Sequence, residues 1–167
     1  MRAAEFAREH RLAGAIRGAP LAGDPDVIAV IAGSGLGVVV GPYSTGQRRR
    51  SLEALGLLQS RGIPVGFALG SRERSPQGLR LSAALALSAG ATREGALRAL
   101  TLDAARIAGV EERVGSLARG KDADFVLWSG DPLDLSSRVE SVWIGGHRVH
   151  ARAARGEHAE KPERSHP

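Results

Sequence analysis

Residues 99–109 read ALTLDAARIAG, residues 110–132 read VEERVGSLARGKDADFVLWSGDP, and residues 139–150 read VESVWIGGHRVH. Local physical chemistry turns this stretch into a short helix followed by three strand-like runs. Asp103 stands where its side chain can accept from the free backbone N–H groups of a helix over residues 104–108, and Gly109 can supply the left-handed residue that ends it. Residues 123–128 are rich in aromatic and branched side chains and lie between Gly120 and the turn sequence Ser129-Gly130-Asp131-Pro132, which predicts a buried strand. Val142-Trp143-Ile144 and Arg148-Val149-His150 flank Gly145-Gly146-His147, and two glycines free to take positive φ predict a tight hairpin there.

Working outward from that stretch, the upstream chain alternates strand and helix signals. Residues 3–10 read as the end of a helix and residues 11–17 as a short strand. Asp24-Pro25-Asp26 starts a second helix, with Asp24 as cap, Pro25 in the first helical position and Asp26 adding favourable charge. Val27, Ile28, Val30 and Ile31 fit helical spacing and a buried strand equally; helix is the expectation, because a strand would need a parallel crossover to Val38 in far fewer than about a dozen residues. Residues 48–61 form an amphipathic helix with Leu52, Leu55 and Leu58 on one face, widened by Ala54 and Leu57 and stopped at Gly62. Residues 63–69 then read as a buried strand, so strand, helix and strand imply a parallel unit. A helix over residues 79–89 stops at Gly90, and Thr92 caps the next, over residues 93–100.

Two glycine-rich segments imitate nucleotide sites and fail on context. Gly33-Ser34-Gly35-Leu36-Gly37 leads into Val38-Val39-Val40 rather than a helix, so it reads as a helix stop and a turn. Gly41-Pro42-Tyr43-Ser44-Thr45-Gly46 sits between strand and helix, yet Gln47-Arg48 follows where a phosphate loop needs lysine and a hydroxyl.

The composition bounds the class. In 167 residues, 43% hydrophobic and 25% charged content is globular, and only 4% aromatic content leaves the core to Ala, Leu, Val and Ile. The chain has no cysteine, which removes disulfides and thiol chemistry. The net charge of +5 is spread along the chain and only Arg48-Arg49-Arg50 form a run, without interleaved aromatics to stack on bases. Nucleic acid is therefore not an expected partner. No apolar run approaches the roughly 18 residues that span a bilayer, and the charged first eleven residues do not resemble a signal peptide. No membrane association and a cytoplasmic location are the expectations.

Val114-Gly115-Ser116-Leu117 followed by Gly120-Lys121-Asp122-Ala123-Asp124 resembles the C-terminal signature of the amidohydrolase family, in its imidazolonepropionase-like group. The likeness extends over most of residues 11–150: residues 38–42 resemble the seventh strand of a (β/α)8 barrel, residues 62–70 the eighth, and residues 79–110 the helices leading into a small β-sandwich. The resemblance implies an α/β fold, with a partial (β/α) barrel of the last three strand-helix units in residues 1–110 and a C-terminal β-sandwich segment in residues 111–150. Residues 151–167, charged and poor in apolar side chains, are expected to be a disordered tail. Lys121, Asp122 and Asp124 are by resemblance structural turn residues.

Members of that family hydrolyse C–N bonds of small amides, imides or cyclic ureas with zinc or another divalent metal. The resemblance implies a His-x-His on the first strand, lysine or glutamate on the fourth, histidines after the fifth and sixth, and an aspartate after the eighth. This chain departs from that pattern: the presumed sixth strand ends in Arg17-Gly18-Ala19, and Gly70-Ser71-Arg72 stands where Gly-Ser-Asp is expected. A guanidinium cannot deprotonate a metal-bound water and repels the cation. Ser71, Arg72 and Glu73 are left as pocket candidates, but Ser71 has no histidine to activate it. His10, His147, His150, His158 and His166 lack a second ligand at metal spacing and read as surface residues. Asp131 and Asp134 flank Pro132 as turn-formers.

No catalytic, cofactor or metal-binding residue is expected within this chain. Three readings follow. One is the C-terminal segment of an amidohydrolase-like hydrolase, inactive alone, whose exposed sheet needs a missing N-terminal half. Another is a non-catalytic binding or scaffold module that self-associates, with Arg72 attracting an anion in the old pocket. The third is an unrelated small α/β domain.

Overall fold

The computed structural model describes residues 2–17, 24–70 and 77–153. The chain orders its elements as α1 (Arg2–Glu9), β1 (Ala15–Arg17), α2 (Pro25–Ala32), β2 (Gly37–Val40), α3 (Arg49–Gln59), β3 (Val65–Phe67), α4 (Gln77–Ser88), α5 (Arg93–Leu100), α6 (Leu102–Ala108), β4 (Phe125–Trp128), β5 (Val139–Ile144) and β6 (His147–Ala151). These make a mixed α/β architecture of two small sheets, three strands each, ordered β1-β2-β3 and β4-β5-β6.

The first sheet is parallel throughout, with Ile16 opposite Val38 and Val38 opposite Val65. Both connections run through a helix, as parallel strands require. Asp24 caps α2 by accepting from the Asp26 N–H at 3.0 Å, and Pro25 occupies the first turn, so the ambiguous apolar run at residues 27–31 is helical. Thr92 caps α5 through the Gly95 N–H. The core is built from aliphatic side chains of strands and helices together: Val38, Val65, Leu55, Leu58, Ala83, Ala86 and Ala96 are all buried. Gly37 is required here by close approach, since a Cβ would lie 2.5 Å from Cγ1 of Ile107 on α6.

Three expectations are corrected by packing. Leu57 does not widen the buried face of α3; it is 42% exposed, whereas Leu55 and Leu58 are fully covered. The strand expected over residues 63–69 is regular only from Val65 to Phe67. Asp103 does not cap α6: the helix begins at Leu102 with Thr101 as its flanking residue, and that cap makes no side-chain hydrogen bond. Asp103 instead turns inward, 1% exposed. Its Oδ1 accepts from Arg98 Nη2 at 2.9 Å and Arg106 Nη1 at 3.2 Å, and its Oδ2 from Gln59 Nε2 at 3.3 Å. Gln59 also donates to the Gly95 carbonyl at 2.9 Å. Helices α3, α5 and α6 are thereby tied at one carboxylate. Gly109 does end α6 in the left-handed region, at φ 68°.

The second sheet is antiparallel, and the Gly145-Gly146 turn has φ of 56° and 78°, as the hairpin requires. Asp124 Oδ1 accepts from the Gly145 N–H at 2.7 Å, and Asp122 pairs with Arg113 at 2.8 Å. Phe125 stacks on Trp143 across the ladder, with centroids 5.5 Å apart. The strand over Phe125–Trp128 is not buried, contrary to expectation: Leu127 is 52% exposed, and Ile144 and Val149 on the neighbouring strands are 56% and 57% exposed. The loop between β4 and β5 is what joins this sheet to the rest. Leu133 is buried in the main core. Arg80 of α4 donates to the carbonyls of Pro132 and Ser137 at 2.8 and 3.2 Å and lies 4.4 Å from the Trp128 ring centroid. Asp131 and Asp134 form turns by accepting from the N–H groups of Leu133 and Ser136, each at 2.8 Å. β6 extends to Ala151, into the segment expected as a tail; residues 154–167 lie outside the described residues.

Two stability measurements test this packing. Leu58→Ala should cost about 2–5 kcal/mol in urea unfolding, as a fully buried leucine does, and Leu57→Ala under about 1 kcal/mol. Asp103→Ala should cost about 1–3 kcal/mol, because it strands donors from three helices while the two half-exposed arginines recover part of their hydration; a cost near zero would mean the clamp does not hold the helices.

Candidate functional site at the ends of the parallel strands

In parallel strand-helix folds the loops that do chemistry gather at the carboxyl ends of the strands. Here those ends are Arg17 of β1, Val40 of β2, which leads into Gly41-Pro42-Tyr43, and Phe67 of β3, which leads into Ala68-Leu69-Gly70. The Gly41–Pro42 peptide bond is cis. Arg17 Nη2 donates to the Leu69 carbonyl at 3.4 Å, so a guanidinium from one edge strand reaches the end of the other. Among the described residues Arg17 has no carboxylate partner.

Tyr43 is the better-built feature. Its N–H donates to Ser82 Oγ at 3.0 Å, and Ser82 in turn donates to the Gly78 carbonyl at 2.9 Å, so α4 fixes the turn after β2. Ser82 is fully buried in a helix face otherwise made of alanines. The Tyr43 ring meets Phe67 edge-on with centroids 5.9 Å apart. Its hydroxyl is buried without a hydrogen-bond partner among the described residues, and burial pushes the phenol well above its ordinary 10.0. The sequence pattern carried one signal of this arrangement, a serine inside an apolar helical stripe, but nothing local tied it to a tyrosine 39 positions away.

Ser71, Arg72 and Glu73 follow Gly70 and lie outside the described residues. His10, His147 and His150 are exposed; His10 stands against the Phe6 ring at 4.2 Å. His158 and His166 also lie outside the described residues. The described strand ends offer a guanidinium, which has no lone pair to give a metal, a buried phenol and backbone carbonyls. This donor set does not fit a divalent ion, and among the described residues no three His, Cys, Asp or Glu side chains converge. No helix among the described residues is long and apolar enough to cross a membrane.

A family model described as "Amidohydrolase family" matches residues 20–150. An imidazolonepropionase of Stenotrophomonas maltophilia (strain R551-3) is 34% identical over 140 residues, which cover 78% of this chain and 32% of that protein. Among solved structures, an amidohydrolase from Thermotoga maritima MSB8 superposes with a TM-score of 0.75 at 33% identity, covering 90% of this chain and 40% of that one. A 5-methylcytosine deaminase from Klebsiella pneumoniae shares the fold, with a TM-score of 0.69 at 18% identity over 95% of this chain and 45% of that one. The chain thus spans about a third of the curated relative and under half of each solved chain.

The buried tyrosine is open to direct test, since the chain has a single Tyr. Its absorbance should not titrate near pH 10 while the protein is folded. Because the folded state holds the proton more tightly than the unfolded one, Tyr43 should cause stability to fall as pH rises above 10.0. Tyr43→Phe, which removes an unpaired buried hydroxyl, should be neutral or stabilising by up to about 1 kcal/mol and should abolish that loss.

Proposed function

Because this chain belongs to the amidohydrolase family, we propose that it forms the C-terminal segment of a metal-dependent hydrolase acting on non-peptide C–N bonds, and that it is inactive by itself. The three parallel strands are, in this reading, the last three strand-helix units of a (β/α) barrel, and β4-β5-β6 belong to the small sandwich beside it. The observation that carries the reading is the pair of open edges: among the described residues β1 and β3 each pair only with β2. An unpaired parallel edge leaves backbone donors and acceptors without ladder partners and invites another strand. A closed barrel of this type takes about 250 residues, so the remaining strands come from polypeptide beyond this sequence, along with the metal ligands that Arg17 and Arg72 do not provide.

A second reading is favoured by the half-exposed Leu127, Ile144 and Val149: a non-catalytic module that covers this apolar sheet by associating with itself. Neither reading needs a nucleic-acid or membrane partner. The deciding experiment measures zinc and manganese stoichiometry and solution mass on the purified chain, then hydrolysis of a small cyclic amide with and without a polypeptide supplying the first barrel strands. The first reading expects far less than one metal per chain and activity only with the added strands. A stable oligomer that neither binds metal nor gains activity would establish the second. Stoichiometric metal in the chain alone would overturn the inactivity in both.

A further inference from the structure

The two outer strands of the antiparallel sheet differ in character, and among the described residues each pairs only with β5. β6 reads His147-Arg148-Val149-His150-Ala151 and is exposed throughout. β4 reads Phe125-Val126-Leu127-Trp128, without a charge, and leaves Val126 and Leu127 40% and 52% exposed. We propose that the outer edge of β4 pairs with the same edge of a second copy of this chain, antiparallel about a two-fold axis at Val126. The proposal rests on the self-association reading above and names the surface it would use.

The backbone fixes where the axis falls. The Ala123 carbonyl accepts from the Gly146 N–H at 3.1 Å, and the Ser129 N–H donates to the Arg138 carbonyl at 2.9 Å, so residues 123 and 129 turn their backbone groups toward β5. The register shift at Leu127/Trp128 comes from one extra residue on β5, Glu140, and leaves β4 itself regular. Backbone groups alternate in direction along a strand, so residues 124, 126 and 128 turn theirs outward, where no described residue bonds them. A two-fold axis normal to the sheet keeps every side chain on its own face, so it must pass through a residue. Val126 is the central one of the three.

The side chains then decide the partner. With the axis at Val126, that valine meets its own counterpart, Phe125 meets Leu127, and Asp124 meets Trp128. Apolar pairs of this kind stabilise a ladder, whereas like charges directly opposed weaken it. The Asp124 carboxylate is already engaged by the Gly145 N–H at 2.7 Å, and no two like charges face each other. β6 has the opposite property. Pairing with its own copy would bring Arg148 and the flanking histidines against one another, and charged side chains are a common means by which edge strands resist pairing. A second copy thus supplies an uncharged edge with the matching pattern of donors and acceptors, and joins two three-stranded sheets into one of six strands.

The test is sedimentation equilibrium of the full chain. Pairing through four residues is smaller than a standard interface, so the dimer should depend on concentration, with a Kd on the order of 100 µM. Val126→Lys and Val126→Glu each set like charges on the axis, and each should weaken dimerisation about tenfold or more. An equimolar mixture of the two variants should recover the dimer, because opposite charges then meet; recovery also shows that both variants fold. Ile144→Lys, at the hairpin end of β5, should leave the dimer unchanged. The proposal fails if the Val126 variants associate as the parent does, or if the mixture stays monomeric. In either case an oligomeric parent would keep the self-association reading and move it to another surface. A parent that is monomeric throughout would overturn both. A monomer joined at this edge by polypeptide supplying the first barrel strands would give β4 to that polypeptide instead.

Discussion

The Asp103 carboxylate is the point at which three helices meet, and the packing over β3 depends on it. A carboxylate this deeply buried is unfavourable unless its oxygens are fully engaged, and it takes donors from α3, α5 and α6 at once. The consequence is positional. With α6 held in this orientation, Ile107 lies against Gly37 and Ala104 against Gly66, so the glycines of β2 and β3 become the seats of a helix rather than weak points of a sheet. A residue that looked like a local cap is a tertiary tie because Arg98, Arg106 and Gln59 offer it more than the first backbone N–H groups of a seven-residue helix can.

The two sheets are linked in an unequal way. The parallel strands pair in unbroken register and the antiparallel ones with shifts at Leu127/Trp128 and Val142/Trp143, but the joint between the sheets is a loop: Leu133 inserted into the aliphatic core, and Arg80 bonding the carbonyls of the turn and lying over the Trp128 ring. The strands of the second sheet leave large apolar side chains half in water. Apolar area of this kind contributes roughly 25 cal/mol per Å² once covered.

The carboxyl ends of the parallel strands are where folds of this kind gather their chemistry. Arg17 reaches across to Leu69, and Tyr43 is locked by Ser82 and Phe67. A divalent metal centre needs lone pairs held in open geometry, and a guanidinium has none to give. Membership in the amidohydrolase family is a statement about the scaffold; the side chains displayed at the described strand ends are a separate matter.

Local chemistry in the sequence was enough to determine the caps at Asp24 and Thr92, the glycine hairpin at residues 145–146, the stop at Gly109, and the parallel order of β2 and β3. Each depends on interactions within a few residues or on a periodicity visible along the chain. The tertiary structure alone decided that Asp103 faces inward, that Leu57 faces water while Leu58 is covered, that β4 is half-exposed, and that Ser82 holds the Tyr43 turn. Those outcomes depend on partners dozens of positions away competing for the same side chain, and on which face of an element another element happens to cover. Residue order along the chain encodes what each segment can form; the burial and pairing of a particular side chain are settled only where segments meet.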